Sequence, residues 1–334
     1  MDYFSANINT EVIAKILRTD NETCVSAAQD VCKFQYGHNT VYKHWCQILG
    51  INPLNAEFSI TDIPFLPISF FKTHSLITDG KEPEIIFSSS GTSGMATSKH
   101  LVYMLDLYKA SFLKAFELFY GPAENWAIIG LLPSYLERQG SSLVLMAEEL
   151  IRESNNVDSG LFLHDFEKLS NVLAQREAAG KKTWLIGVTY ALIDSAERYP
   201  IPLKHTTVLE TGGMKGRKKE MTRMEVQAVL KDAFGLKDVH SEYGMTELLS
   251  QAYSSGNGIF RCPPWMRVLV RDEDDPGCVK TEGTGALCII DLANVYSCSF
   301  IATEDLGKVY KDGSFEILGR LDNSDIRGCS LLAL

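Results

Sequence analysis

Between residues 126 and 234, short apolar segments alternate with longer segments in which apolar residues recur every three or four positions. The short segments are typical of buried strands and the longer ones of amphipathic helices. This alternation predicts βα units around a largely parallel sheet, and therefore an α/β fold. The predicted strands span residues 126–132, 161–163, 183–188 and 206–209, and the predicted helices span 141–152, 166–179, 191–198 and 218–234.

The segments on either side of this block follow other patterns. Residues 1–80 predict two amphipathic helices, the second capped by Asn39 or Thr40 and ended by Gly50, before prolines break the pattern. A further helical stripe ends at Gly121, and short β segments are predicted at 266–271, 285–291, 297–303, 307–310 and 314–318. We therefore expect a helical lead-in packed on the main domain (1–80), an α/β core (81–255), a β-rich lobe (256–318) and a C-terminal tail (319–334).

The composition is that of a globular protein. With 334 residues, 45% of them hydrophobic, and a net charge of -10, the chain can bury a sizeable core but lacks the basic balance of a nucleic-acid surface. No apolar run approaches the length that spans a bilayer, and the start MDYFSANINT does not resemble a signal peptide. The eight cysteines show no CxxC pair and no zinc-like spacing with the seven histidines, so we expect reduced thiols in a cytoplasmic protein.

A loop rich in serine and glycine follows the apolar run at residues 85–87. Its sequence, SSSGTSG at 88–94, leaves backbone N–H groups uncovered between small hydroxylated side chains, and both kinds of donor can converge on phosphate oxygens. The loop matches neither the Walker loop nor GxGxxG. We expect a phosphate-binding loop, with the apolar segment 63–72 buried beneath it.

Two motifs near the end of the alternating block suit a nucleotide and a cation. Gly212 and Gly213 follow a predicted strand and let the backbone approach a flat ring, on which Tyr243 can stack. Glu247 lies just beyond Thr246 and can hold a hard divalent cation against phosphate oxygens. A carboxylate at the start of a helix is the alternative interpretation of Glu247.

Two motifs in the β-rich part complete the set. A carboxylate in TEDLG (303–307) can accept both hydroxyls of a ribose, and a guanidinium in GRLD (319–322) can pair with ribose or phosphate oxygens. An ordinary turn and an exposed ion pair are the alternative for these two groups.

The order and spacing of the motifs resemble the core motifs of the adenylate-forming superfamily, which includes acyl-CoA synthetases, peptide-synthetase adenylation domains and luciferase. The motifs are SSSGTSG (88–94), EYGMTE (242–247), TEDLG (303–307) and GRLDNSDIRG (319–328). Within that superfamily, TGGMKGR (211–217), CPPWMRV (262–268) and RGCSLL (327–332) look closest to the LuxE-type acyl-protein synthetases and next closest to phenylacetate-CoA ligases. The resemblance implies the large N-terminal α/β domain of the superfamily, with the 81–255 core binding the nucleotide.

The resemblance also implies ATP and Mg²⁺ as cofactors and a carboxylic acid, in the LuxE type a fatty acid, as substrate. The acid would attack the α-phosphate to form an acyl-adenylate, and a thiol would then take the acyl group. The implied site residues are Ser88, Ser89, Ser90, Gly91, Thr92, Ser93 and Gly94 for the phosphates, Gly212, Gly213 and Tyr243 for adenine, Gly244 for the nucleotide, Thr246 for the α-phosphate, Glu247 for Mg²⁺, Asp305 for the ribose, and Arg320 for ribose or phosphate.

The C-terminal part departs from the usual superfamily pattern. Only 14 residues, 321–334, follow Arg320, so we expect no mobile C-terminal domain to supply an active-site lysine. Lys99 or Lys215 would substitute, a partner chain would contribute, or adenylation would be slow. In the LuxE type a cysteine near the C-terminus accepts the acyl group, which by position is Cys329, for delivery to an acyl-accepting, reductase or transferase partner.

Other functions stay open at this stage. One is a ligase that uses free CoA, or an adenylate donor to an amine or a sugar, and another is a non-catalytic protein that binds a nucleotide or an acyl group. The histidines, including His100 and His240, form no spaced pair and are given no catalytic role. Cys262, beside two prolines, is expected to be structural.

Overall fold

The computed structural model describes residues 9–54, 58–89, 97–132, 140–212, 221–272, 275 and 277–321. The chain divides into two compact units. Unit 1 comprises Met1–Lys114, Met245–Gln251 and Arg261–Leu334, and unit 2 comprises Ala115–Gly244 and Ala252–Phe260.

The helices of the described residues are α1 (Asn9–Leu17), α2 (Cys24–His38), α3 (Thr40–Ile48), α4 (Phe70–Thr73), α5 (Leu105–Tyr120), α6 (Ser142–Ser154), α7 (Phe166–Ala178), α8 (Thr189–Arg198) and α9 (Arg223–Phe234). The strands are β1 (Leu66–Pro67), β2 (Ile85–Ser88), β3 (Lys99–Val102), β4 (Ala127–Leu131), β5 (Gly160–Leu161), β6 (Thr183–Gly187), β7 (Thr206–Glu210), β8 (His240–Tyr243), β9 (Ala252–Ser254), β10 (Ile259–Phe260), β11 (Met266–Arg271), β12 (Val279–Lys280), β13 (Gly283–Asp291), β14 (Phe300–Val309) and β15 (Phe315–Arg320).

Unit 2 is built on a mostly parallel sheet with the strand order β5-β4-β6-β7-β8-β9. Neighbouring strands from β5 to β8 run parallel, and β9 pairs antiparallel with β8. Every residue of β4 and β6 is buried, as expected of parallel strands that are covered on both faces. The predicted α/β fold is confirmed. The strands predicted at 126–132, 183–188 and 206–209 correspond closely to β4, β6 and β7, whereas β5 overlaps the strand predicted at 161–163 by one residue only.

Helix α9 begins later than the predicted start at residue 218, because Met221 and Thr222 are not helical. The Thr222 hydroxyl accepts a hydrogen bond from the Glu225 N–H at 3.2 Å, and the Glu225 carboxylate accepts one from the Thr222 N–H at 2.7 Å. This capping box satisfies the first backbone N–H donors of α9, and Thr222 is therefore the N-cap of the helix. Residues 218–220 lie outside the described part of the chain.

Unit 1 contains an antiparallel arrangement in the order β15-β14-β13-β11-β12, and β1 pairs in parallel with β14. Strands β2 and β3 form a separate antiparallel pair. The expected cap of α3 is confirmed, since the Asn39 side chain accepts a hydrogen bond from the Tyr42 N–H at 3.0 Å. Of the helices that the structure describes, none is long and apolar enough to cross a membrane.

The structure corrects one feature of the β-rich region. The segments 297–303 and 307–310 were expected to be separate, but β14 runs unbroken from Phe300 to Val309 and contains the TEDLG motif. Gly307 does not turn the chain there. A Cβ at Gly307 would lie 2.5 Å from the Glu316 carbonyl oxygen and 2.8 Å from Leu287 Cδ2, so glycine permits a close approach of neighbouring strands.

We expect Gly307→Ala to lower the free energy of unfolding by about 1–3 kcal/mol, because the added methyl group has no room between β13 and β15. Gly37→Ala in α2 is the control, since a Cβ there would meet no atom within 4 Å. It should change stability by less than about 1 kcal/mol, in the stabilising direction. Urea unfolding followed by circular dichroism measures both, and equal stabilities for the two variants would contradict the packing argument.

Candidate active site

The β2-β3 hairpin holds the two ends of the serine- and glycine-rich loop. Ser88 ends β2 opposite Lys99 on β3. Beyond this pair, the Ser89 N–H donates to the Ser98 carbonyl at 3.0 Å, and the Ser98 N–H donates to the Ser89 hydroxyl at 2.9 Å. The two serines therefore close the base of the loop.

Glu247 lies at the centre of the candidate site in unit 1. Its side chain is 6% exposed, and burial raises the pKa of its carboxyl above the usual value. A hydrogen bond from the Ser98 hydroxyl and the positive charges of Lys72 and Arg320 act in the opposite direction. The carboxylate is therefore desolvated, next to the loop base and within electrostatic reach of two cations.

Asp305 and Arg320 are directly opposite each other on β14 and β15. Arg320 Nε donates to Asp305 Oδ1 at 3.2 Å, and the side chains are 71% and 13% exposed, respectively. An ion pair with one exposed partner adds little to stability. The arginine can therefore turn its guanidinium towards a ligand at small cost, and the carboxylate stays in place.

Buried side chains hold the backbone around Glu247. His100 Nδ1 donates to the Thr246 carbonyl at 2.8 Å, and Asn294 Nδ2 donates to the Glu247 carbonyl at 2.8 Å. Because a carbonyl only accepts, His100 carries its proton on Nδ1. Burial lowers the pKa of His100 to about 4, so the imidazole is neutral at pH 7.

Asp291 continues this support along the same segment. Its Oδ2 accepts hydrogen bonds from the Leu249 N–H at 2.7 Å and the Ser250 N–H at 3.0 Å, and its Oδ1 accepts one from the Ser250 hydroxyl at 2.6 Å. The Ser250 hydroxyl also lies 3.1 Å from that of Ser111. Burial raises the pKa of Asp291 to about 6, so the carboxylate is still ionised at neutral pH.

In unit 2, Glu210 fixes the turn after β7. Its carboxylate accepts hydrogen bonds from the Gly212 N–H at 2.9 Å, the Thr189 hydroxyl at 3.0 Å and the Ser241 hydroxyl at 2.9 Å. Gly212 has φ +73°, a conformation that L side chains rarely adopt. The glycine is therefore needed for the turn itself, whatever it binds.

Glu242, Tyr243 and Gly244 follow at the end of β8. Burial raises the pKa of Glu242 to about 8, and the nearby charge of Glu210 acts in the same direction. The Tyr243 ring meets Phe260 edge to face, with centroids 6.0 Å apart, and Arg223 lies over Phe260 at 5.4 Å.

Several predicted residues lie outside the described part of the chain: Ser90, Gly91, Thr92, Ser93, Gly94, Gly213, Lys215 and Cys329. Their roles stay predictions. Within unit 1, the structure brings Glu247, Asp305 and Arg320 into one electrostatic neighbourhood.

The sequence analysis missed the side chains that surround and support Glu247: Lys72, Ser98, His100, Asp291 and Asn294. Lys72 ends the apolar segment 63–72, whose Phe71 packs edge to face on His100 at 5.5 Å. Period-two alternation could have indicated His100, since it falls on the buried side of β3 together with Val102. The other partners come from distant parts of the chain and carry no local pattern.

The carboxylate of Glu247 is chemically suited to bind Mg²⁺. Mg²⁺ binds through one or two carboxylates and completes its shell with water and substrate phosphates. A cation would favour the ionised carboxylate that burial disfavours. Among the residues described, no group of three or more His, Cys, Asp and Glu side chains can hold a metal ion. Magnesium at Glu247 would therefore depend on phosphate oxygens for further ligands.

The fold is that of the large N-terminal domain of adenylate-forming enzymes. The structure of 2-hydroxyisobutyryl-CoA ligase with 2-HIB-AMP and CoA matches 92% of this chain and 71% of its own, with a TM-score of 0.66 and 15% identity. ATP-bound MatB from Rhodopseudomonas palustris matches 70% of this chain and 47% of its own, with a TM-score of 0.52 and 18% identity. The match therefore spans about half of the MatB chain.

Comparison with protein-family models gives a more specific similarity than the fold does. The family described as acyl-protein synthetase, LuxE, matches residues 21–105, which include α2, α3 and the β2-β3 hairpin. The predicted resemblance to this family is confirmed over that segment. No curated protein sequence matches the chain significantly.

We expect Asp291→Asn to lower the free energy of unfolding by about 1–3 kcal/mol, because the new amide hydrogens would face buried donors and leave at least one of them unsatisfied. Asp30→Asn is the matched control. Its exposed carboxylate lies 3.6 Å from Lys15 Nζ, and its loss should cost less than about 1 kcal/mol. Urea unfolding measures both, and a stability of Asp291→Asn equal to that of the control would show that the segment does not depend on this carboxylate.

Proposed function

We propose that this protein uses ATP to activate a carboxylic acid of the fatty-acid class as an acyl-adenylate and then passes the acyl group to a thiol. The observation that carries the proposal is the buried Glu247 carboxylate, held beside the base of the serine- and glycine-rich loop and in the field of Lys72 and Arg320. The LuxE family match and the shared fold support the same reaction class.

In the first step, a carboxylate oxygen of the acid bonds to the α-phosphorus and the bond to the leaving pyrophosphate breaks. The attacking acid is already ionised, so no protein base has to remove a proton. Lys72 and Arg320 would balance negative charge on the phosphate oxygens, where convergent positive groups stabilise the transition state. Magnesium held by Glu247 would add Lewis-acid stabilisation of the same oxygens.

The remaining nucleotide contacts follow the resemblance. Asp305 would accept the ribose hydroxyls, and Arg320 would pair with ribose or phosphate oxygens. Gly212, Gly213 and Tyr243 would contact adenine, Gly244 would belong to the nucleotide site, Thr246 would contact the α-phosphate, and Ser88 to Gly94 would bind the ATP phosphates. Lys72, whose charge acts on Glu247, joins Lys99 and Lys215 as a candidate for the lysine that a mobile C-terminal domain supplies in most of the superfamily.

In the second step, a thiolate sulfur attacks the acyl carbon and AMP leaves. We propose Cys329 as the first acceptor, on the sequence resemblance alone. A free CoA thiol is the alternative, and it is favoured by the fold shared with a CoA ligase. The two acceptors differ in one observable, since only a cysteine acceptor leaves the acyl group on the protein.

We expect Glu247→Gln to lower acid-dependent exchange of pyrophosphate into ATP by about 100-fold or more, because losing the carboxylate removes the cation that stabilises the phosphoryl oxygens. Exchange of labelled pyrophosphate with a panel of short, aromatic and long-chain acids measures this. Glu22→Gln, on an exposed turn, should retain full exchange. Full exchange by Glu247→Gln would remove Glu247 from the reaction, and no exchange by the wild type with any acid would favour a binding protein without catalysis.

We expect Cys329→Ser to retain pyrophosphate exchange and to lose a covalent acyl group that the wild type carries after incubation with ATP, Mg²⁺ and acid. Intact-protein mass and lability to hydroxylamine identify the thioester. Cys278→Ser is the control and should retain the adduct. A covalent acyl group on Cys329→Ser would exclude this cysteine as acceptor, and rapid release of acyl-CoA on adding CoA, without a protein adduct, would favour the CoA ligase.

A further inference from the structure

Unit 1 contains a cavity of about 390 Å³ that none of the residues given a nucleotide or metal role lines. Its volume lies within the range of about 300–1,000 Å³ that is typical of small-molecule sites. One wall is a face of the β-sheet. Arg271 pairs with Val279 across β11 and β12, Pro67 pairs with Ala302 across β1 and β14, and all four residues line the cavity.

The apolar part of the lining comes from α3 and the segment that follows it. Trp45, Ile63 and Phe65 belong to this part of the lining, as do Leu49 and Ile51, which are 46% and 38% exposed. The Trp45 indole N–H donates to the Phe65 carbonyl at 3.0 Å, which fixes the ring. An apolar ligand body can therefore pack here without leaving the indole donor unsatisfied.

Arg271 is the cationic residue among the described residues that line the cavity. The hydrogen-bond donors of its guanidinium are only partly paired. Its Nη2 donates to the Thr303 carbonyl at 3.0 Å, but its Nε is buried and has no hydrogen-bond partner among the described residues. Its neighbour Cys288 adds no charge, because burial raises the pKa of that thiol to about 12. Asp272, the next residue along the chain, is 3.6 Å from Lys280 Nζ.

Arg176 shows how this chain satisfies an arginine that is purely structural. Its Nε donates to the Thr183 hydroxyl at 2.8 Å, its Nη1 to the Asp158 carboxylate at 2.6 Å and its Nη2 to the Lys182 carbonyl at 2.7 Å. Arg271 has a contact of the last kind, to the Thr303 carbonyl, and a side-chain hydrogen bond with Cys288, but no described carboxylate forms a salt bridge with it. Arg271 is half-buried and has no salt-bridge partner among the described carboxylates, so an anionic group of a ligand in the cavity can pair with it.

We propose that this cavity binds a small amphiphilic carboxylate, with its apolar body against Trp45, Ile63 and Phe65 and its carboxylate on the guanidinium of Arg271. The planar fork of arginine matches a carboxylate in two parallel hydrogen bonds. This site is separate from the proposed activation site, and binding there requires neither ATP nor Glu247.

Calorimetric titration of the full chain with octanoate, without ATP, tests the proposal. We expect octanoate to bind, and octanol, which has the same chain length but no charge, to bind about 10-fold more weakly or worse. Arg271→Met should weaken octanoate binding by a similar factor. Arg261→Met, which removes an exposed arginine paired with Asp312, should not. Unchanged affinity in Arg271→Met, or no binding of octanoate up to millimolar concentration, would overturn the proposal.

Two further variants separate this site from the activation site and from a folding defect. Val279→Phe fills the cavity from its edge strand and should weaken octanoate binding while the circular dichroism stays that of the wild type. Glu247→Gln should retain octanoate binding, even though we expect it to lose pyrophosphate exchange. Loss of binding in Glu247→Gln, or a bromine anomalous peak of bound 8-bromooctanoate outside the Arg271 cavity, would assign the acid to another site.

Discussion

The placement of Glu247 depends on hydrogen bonds that buried side chains make to an irregular stretch of backbone. Residues 246–250 belong to neither a helix nor a strand, so their buried N–H and carbonyl groups need partners from elsewhere. His100, Asp291 and Asn294 supply them. Leaving any one of these groups unsatisfied costs the full desolvation of a polar group, and the segment therefore has one well-defined conformation.

The charges around Glu247 suit a carboxylate that binds a cation. Burial opposes the charge of Glu247, while the Ser98 hydroxyl and the charges of Lys72 and Arg320 favour it. Arg320 in turn contacts Asp305, because the register of the neighbouring strands β14 and β15 places the two residues opposite each other. Arg271, on the same sheet, differs in that no carboxylate among the described residues forms a salt bridge with it, and this difference is the basis of the ligand site that we propose there.

The alternating block from residue 126 onwards was predictable because each element there carries its own period of apolar residues. The predicted strands and helices correspond to β4 to β7 and α6 to α8, and the boundary error at α9 arose because a local capping box, Thr222 with Glu225, outweighs the helical pattern before it. The break expected around the TEDLG motif was wrong for another reason. In the sequence, Gly307 suggests a turn. In the folded sheet, it allows neighbouring strands to approach closely, and the sequence alone does not reveal that contact.

By itself, the sequence determined the α/β class, the order of the motifs and the resemblance to the adenylate-forming enzymes, because these depend on local periodicity and on short runs of residues. The tertiary structure alone decided which side chains surround Glu247, since Lys72, Ser98, Asn294 and Arg320 come from sequence separations of 47 residues or more. It also decided that Arg271 lines a cavity and forms no salt bridge with any of the described carboxylates. Contacts of this kind follow from sheet register and packing, and no local pattern in the chain encodes them.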